Sequence, residues 1–268
     1  MKILSICCTD YNLEQAKGII YWLKGDKDSQ VLRLPNIHGF FCSYFILAIY
    51  FIFLQWFTFF KPNTKFDRVI VIGRSVVAQS IIIAHQLQTP LSTQQKPFGF
   101  PYWFFKSQYV PYHDLGKNIP YNTIPIYLAP NTMEHRDDYE LEKKVSILIG
   151  GSLHNTYFPI AKTMQQINNY LLDYENYYVE AIISRRTPNE LIAALKKHRI
   201  TIVDSYGATK KAYISSEVLL ITDDSFCMIS EAIQAGRKPI VLKTGNIGRR
   251  LTKGINYLKN KDLLVYEP

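Results

Sequence analysis

The chain has 268 residues, enough for two small domains or one large one. Hydrophobic residues make up 47% and charged residues 20%, which argues against disorder, a collagen-like chain or a repeat array. The formal net charge of +9 favours polyanionic partners such as anionic lipid or phosphorylated small molecules. The basic residues are scattered in short clusters with no interleaved basic–aromatic motif, so nucleic acid is not expected as a partner.

Lys2–Cys8 is a short apolar run that reads as a first buried strand rather than a signal peptide. Leu13, Ala16, Ile19, Ile20 and Leu23 recur at helical spacing and predict a helix over Asn12–Leu23. Gln30–Leu34 is a second strand, Asp67–Gly73 a third, and Ser75–Leu87 a helix. Ser92–Tyr109 is rich in Pro, Gln and aromatic residues and is expected to meander. Gln108–Pro111 is a short strand ending in His113-Asp114. Asn131–Glu142 is polar and charged and serves as the candidate linker, dividing the chain into 1–135 and 136–268.

The alternation then restarts. Strands are expected at Lys144–Gly150, Tyr178–Ser184, Ile200–Asp204, Val218–Thr222 and Pro239–Lys243. Helices are expected at Phe158–Tyr174, Pro188–His198, Ser225–Gln234 and Arg250–Lys259. Strands alternating with helices imply a parallel sheet covered on both faces. The fold class is therefore α/β, with two Rossmann-like domains facing a cleft, where ligands bind at the carboxyl ends of the strands.

One segment breaks the alternation. Gly39–Phe60 is about 22 residues without a charge, about the length that crosses a bilayer as a helix. A single crossing would separate two strands of one sheet. A buried crossover helix would be apolar all round. A monotopic insertion suits the interfacial Tyr44, Tyr50 and Trp56 and is favoured. The expected location is the cytoplasmic face of a membrane, with anionic lipid as a partner.

Cys7, Cys8, Cys42 and Cys227 form no C-x-x-C pair and have no histidine cluster, so neither zinc nor a secretory disulfide framework is expected. P-loop, G-x-G-x-x-G, H-E-x-x-H and G-x-S-x-G patterns are missing, which disfavours P-loop hydrolysis and α/β-hydrolase chemistry. The candidate binding residues lie at strand ends of the second half. Gly150-Gly151-Ser152 suits a turn around phosphate, or simply a turn. Arg185 and Arg186, before Thr187-Pro188, suit bidentate contact with a diphosphate, or solvation. Asp224 or Ser225 suits an N-cap, at a helix end that also favours phosphate. Met228 and Glu231 follow on that helix, and a carboxylate there can accept ribose hydroxyls or face solvent. In the first half, His113 or Asp114 suits a proton-accepting role. Gly73-Arg74-Ser75 is a similar strand end.

These motifs, in this order, resemble the plant "elongated mitochondria" fission family and its bacterial relatives. The matching pieces are Leu148–Ser152, Ser184–Pro188, Thr222–Ser225, Met228 with Glu231-Ala232, Gly236 with Lys238-Pro239, Gly73-Arg74, Pro111 with His113-Asp114, and Asn122 to Pro130. That family looks like GT-B glycosyltransferases of the MurG kind. The resemblance implies a metal-independent, inverting transfer with no cofactor, from a nucleotide-sugar to a lipid-linked or cell-envelope glycan acceptor. It makes Glu231 the ribose ligand, and Ser225 and the Gly150–Ser152 turn phosphate contacts. Arg185 and Arg186 steady the leaving group, and Asp114 or His113 is the base. The family's plant members also imply an alternative, a non-catalytic membrane adaptor that recruits a partner protein. Two departures stand out: Cys8-Thr9-Asp10-Tyr11 replaces a glycine-rich acceptor loop, and Gly39–Phe60 is unusually long.

Overall fold

The computed structural model describes residues 1–35, 40–54, 65–97, 99–116, 118–151, 158–205, 207–245 and 247–266. The chain divides into two compact units, Met1–Thr132 and Met133–Pro268.

Unit 1 is built on β1 (Ile3–Cys7), α1 (Asp10–Trp22), β2 (Gln30–Arg33), α2 (Phe40–Ile49), β3 (Arg68–Ile72), α3 (Val77–Gln86), β4 (Leu91–Gln94), β5 (Ser107–Pro111) and β6 (Thr123–Ile126). Its six strands run in the order β2-β1-β3-β4-β5-β6, and every neighbouring pair is parallel. Alternation along the strands separates two cores, as the two-residue period requires. Ile3 and Cys7 join Ala16 and Ile19 of α1 on one face. Leu4, Ile6, Val69 and Val71 join Leu47, Tyr50 and the α3 residues on the other.

Two strands differ from expectation, and each has a physical reason. Leu91–Gln94 overlaps the start of the segment expected to meander, Ser92–Tyr109, yet it is a central strand with all four residues buried. Its polar side chains hid it, because burial there is satisfied by pairing rather than by hydrocarbon. Ser92 Oγ lies 3.0 Å from Ser107 Oγ, and Gln94 Nε2 donates to Gln15 Oε1 at 3.2 Å. Thr123–Ile126 contains Pro125 and sits at the sheet edge, where a missing N–H is tolerated.

The described part of the apolar run is a helix continued by a π-helical turn, Tyr50–Leu54. One side is a buried crossover: Leu47 and Tyr50 are 6% and 1% exposed, and the helix packs on α3. Tyr44 stacks on Phe100 at 5.1 Å, and its hydroxyl donates to the Gly99 carbonyl. The other side leaves Phe45 and Ile52 at 66% and 64% exposure. Among the described residues no helix is long and apolar enough to cross a membrane. Gly39 and residues 55–60, Trp56 included, lie outside the described residues.

Unit 2 runs β7 (Glu142–Leu148), α4 (Ile160–Leu171), β8 (Tyr178–Ile182), α5 (Asn189–Lys197), β9 (Thr201–Val203), α6 (Ala208–Ser215), β10 (Ser216–Thr222), α7 (Phe226–Gln234), β11 (Ile240–Leu242) and α8 (Arg249–Asn260). The parallel sheet has the order β11-β10-β7-β8-β9. Val145, Ile147 and Leu220 pack against Met164 and Ile167 of α4 and Leu191 and Leu195 of α5. Ile229 and Ala232 of α7 and Ile255 and Leu258 of α8 are buried outside that cluster. Lys144 and Glu180 form a largely buried ion pair at 2.9 Å within the sheet. Ser146 Oγ also donates to Glu180, at 2.8 Å. Both units are therefore parallel α/β layers of the Rossmann type.

Candidate functional site

In unit 2 the carboxyl ends of β7, β8, β10 and β11 carry a tightly bonded set of turns. Gly151 has φ +108°, which only glycine adopts without strain, and forms a bridge with Arg186. A Cβ at Gly151 would stand 2.2 Å from the Arg186 carbonyl oxygen, and one at Gly150 would stand 2.3 Å from Asp224 Oδ2. The space that these glycines leave is filled by the protein's own atoms. The Gly150 amide donates to Thr222 Oγ1 at 2.9 Å, and its carbonyl accepts from the Ser184 hydroxyl. Ser152 lies outside the described residues.

Ser184–Thr187 folds back on itself. Ser184 N donates to Thr187 Oγ1 at 2.9 Å, and Arg186 N to Ser184 Oγ at 3.2 Å. Thr187 is buried, and its hydroxyl also donates to the Ile149 carbonyl at 3.4 Å. Thr187 therefore staples the loop, while Arg185 and Arg186 project from it exposed.

Asp223 and Asp224 follow β10 with opposite surroundings. Asp223 is fully buried and accepts from Thr244 N at 3.1 Å, Thr244 Oγ1 at 2.5 Å and Tyr266 Oη at 3.2 Å. Burial raises its carboxyl above the ordinary range, against the pull of those donors. It ties the ends of β10 and β11 to the C-terminal segment. Both carboxylate oxygens of Asp224 are buried without a hydrogen-bond partner among the described residues. Burial pushes this carboxyl up as well, partly offset by the Thr222 hydroxyl and the Arg186 charge. Ser225 is the N-cap residue of α7, but its side chain makes no capping bond, and neither does Asp224. The sequence expectation of a capping side chain is met in position only.

Met228 and Glu231 are half-buried on α7. Glu231 Oε2 accepts from Tyr213 Oη at 3.0 Å. Tyr213 is fully buried on α6, and burial followed by the Glu231 charge holds its phenol well above the usual range. It therefore stays a proton donor to Glu231. Sequence reading missed Tyr213, because its partner is 18 residues away and no local pattern links them. It also missed Gln166 and Lys162 of α4. Gln166 exchanges 2.8 Å bonds with both the amide and the carbonyl of Lys243, fixing the end of β11. Lys162 Nζ lies 3.2 Å from where a Cβ on Gly245 would be, which adds a cation to this edge.

In unit 1 the corresponding edge carries Cys8, Gly73, Ser75, His113 and Asp114. His113 and Asp114 are half-buried in a single 3-10 turn, Tyr112–Asp114, directly after β5. Gly73 has φ +97°, and Cys8 Sγ lies 3.1 Å from Ser75 Oγ. Thr9 caps α1, its hydroxyl accepting from Asn12 N at 3.2 Å. Among the described residues no group of acidic, histidine or cysteine side chains is arranged to hold a metal ion.

The fold is shared with solved structures. UDP-GlcNAc 2-epimerase from Methanocaldococcus jannaschii superposes with a TM-score of 0.53 and 14% identity, over 96% of this chain and 92% of that one. Acinetobacter baumannii MurG matches with a TM-score of 0.53 and 12% identity, over 100% and 86%. The "glycotransferase of kitacinnamycin" matches with a TM-score of 0.53 and 12% identity, over 99% and 86%. At these identities the likeness is one of fold, the two-domain GT-B-like architecture. No curated protein has significant sequence similarity to the chain. The model of the family described as "Mitochondrial fission ELM1" matches residues 45–266, most of the sequence, and the chain belongs to that family.

Proposed function

We propose that this protein is a glycosyltransferase that moves a sugar from a nucleotide-sugar to a lipid-linked or cell-envelope glycan acceptor at a membrane surface. The observation that carries the reading is the carboxyl edge of unit 2. It presents Arg185 and Arg186 from a stapled loop near Asp224 at the start of α7, and farther along that helix Glu231 faces a buried phenol donor. A carboxylate held this way accepts ribose hydroxyls, and guanidinium groups offset diphosphate charge. The fold adds support, since one structure that shares it is named for an enzyme of UDP-GlcNAc and another for a glycotransferase.

In this reading Asp114 or His113 takes the proton of the acceptor hydroxyl. The hydroxyl oxygen attacks the anomeric carbon as its bond to the diphosphate breaks, so the configuration inverts. Arg185, Arg186 and the positive end of α7 stabilise the departing negative charge, which removes the need for a metal. Gly151 and Ser225 lie on the phosphate side, Met228 packs near the nucleoside, and Thr187 holds its loop in place.

A thermal-shift screen with UDP, GDP, CMP and their sugars tests the proposal. Stabilisation by one nucleotide, lost in Glu231→Ala and Arg185→Ala, supports it. A second reading is a membrane adaptor that keeps the fold without catalysis, since the family is described by mitochondrial fission and not by a transfer reaction. That reading gains if no nucleotide shifts the melting temperature.

A further inference from the structure

Unit 1 has a second feature, at the opposite end of its sheet from His113 and Asp114. An open groove of about 800 Å³ runs along the amino ends of β4, β5 and β6. Its walls come from segments distant in sequence: Phe51 after α2, Trp103 and Phe104 before β5, and Tyr121 before β6. Trp103 is 67% exposed and Tyr121 is 85% exposed. Tyr102 joins them edge-on, 5.5 Å from Trp103 and 5.8 Å from Tyr121. On the far wall, Phe51 meets the His85 ring at 5.5 Å. The exposed Phe45 and Ile52 of the apolar run belong to the same helical segment as Phe51.

Charge complementarity selects the occupant. Lys106 lies in the groove, no carboxylate lines it among the described residues, and the chain as a whole is strongly cationic. Contiguous exposed aromatic surface marks an interaction site. Amphipathic rings beside a cation match the headgroup–acyl boundary of an anionic bilayer. We infer that this groove docks the protein on an anionic lipid surface, with Phe51, Trp103 and Tyr121 at the boundary and Lys106 against lipid phosphate. The inference rests on the membrane clause of the proposed function and assigns the contact to the groove, not to the 39–60 run alone. It has a consequence for the substrate. The five residues of β5 separate the groove from the His113–Asp114 turn by roughly 17 Å. The acceptor group must then stand off the bilayer on an extended headgroup.

The test is co-sedimentation of the full chain with phosphatidylcholine vesicles, with and without phosphatidylserine. Wild type is expected to pellet with the phosphatidylserine vesicles, and brominated lipid is expected to quench its tryptophan fluorescence. The double variant Trp103→Ala/Tyr121→Ala removes two highly exposed rings and is expected to lower partitioning by about tenfold or more. Lys106→Glu is expected to weaken binding to phosphatidylserine vesicles several-fold. Trp103→Phe is expected to reduce the quenching. Equal pelleting by the double variant overturns the inference, leaving the 39–60 run as the membrane contact. If the double variant fails to fold, Lys106→Glu and the Trp103→Phe quenching decide alone. Failure of wild type to bind either vesicle, or monomer–dimer exchange lost in the variants, overturns it in favour of a protein partner. The nucleotide thermal shift reads unit 2 separately, so failure of the transferase reading is distinguishable.

Discussion

The two carboxyl edges of this molecule are built from different bonds. In unit 2, Thr222, Ser184, Thr187, Asp223 and Gln166 each bind a neighbouring strand end or loop, so four turns are fixed relative to one another. In unit 1, Cys8 contacts Ser75 and accepts from Asn12 Nδ2 and Arg33 Nε, Thr9 caps α1, Gln95 N donates to the Tyr109 carbonyl, and a short 3-10 turn carries His113 and Asp114. The difference teaches that unit 2 locks its strand-end loops to one another through side-chain bonds. Such order reduces the cost of immobilising loops on binding. Unit 1 concentrates its unusual surface elsewhere, in aromatic side chains at the other end of the sheet.

The sharpest way to break this contrast is Gly151→Ala. The added methyl meets the Arg186 backbone at a positive φ, so both the strain and the clash fall on one turn. The expected loss is about 3 kcal/mol or more of stability, read as a lower denaturant midpoint. The same change at Gly116 in unit 1, where nothing lies within 4 Å of the added atom, is expected to cost far less.

Next in size are the proposed ligand contacts. Glu231→Ala is expected to weaken nucleotide affinity about 10- to 100-fold, the value of hydrogen bonds to a charged group. Tyr213→Phe is milder, since the carboxylate remains but loses the phenol's hydrogen bond. It is expected to cost about three- to tenfold in affinity, with the folded state retained. An unchanged affinity in Tyr213→Phe would show that the phenol is only a packing group.

The smallest expected effect is a gain. Asp224 is buried without a hydrogen-bond partner among the described residues, and burial raises its folded pKa. The folded state therefore binds the proton more tightly than the unfolded chain, whose carboxyl titrates near 3.9. Stability falls as pH rises from that value through the raised folded pKa, and the cost remains fully present above it. Asp224→Asn is expected to melt about 2–4 °C higher at neutral pH and to lose the advantage in acid. Asp223 titrates with the same sign, so the variant flattens the slope without abolishing it.

Much of this architecture is legible in the sequence where hydrophobic periodicity is strong. The helices α1, α4, α5, α7 and α8 and the apolar strands β1, β3, β7 and β10 announce themselves by spacing. β4 does not, because Ser92 and Gln94 are buried by pairing with Ser107 and Gln15, which only the fold brings near. β6 is masked by Pro125. The strand-end motifs of unit 2 were visible as residue types, whereas the bonds among them were not. Glycine at 150 and 151 reads as a phosphate turn, but its immediate cause is close approach of Asp224 and Arg186. The 39–60 run reads as uniformly apolar, yet the described helix uses one side for α3 and leaves the other bare. Composition cannot divide such a helix into two faces. Packing does.

The most direct test of the central claim is calorimetric titration of the full chain with UDP and GDP, comparing wild type with Glu231→Ala and Arg185→Ala. The account predicts saturable one-site binding of one of these nucleotides, weakened at least about tenfold by each substitution. No heat of binding from wild type with either nucleotide, or equal affinity in all three proteins, would contradict it.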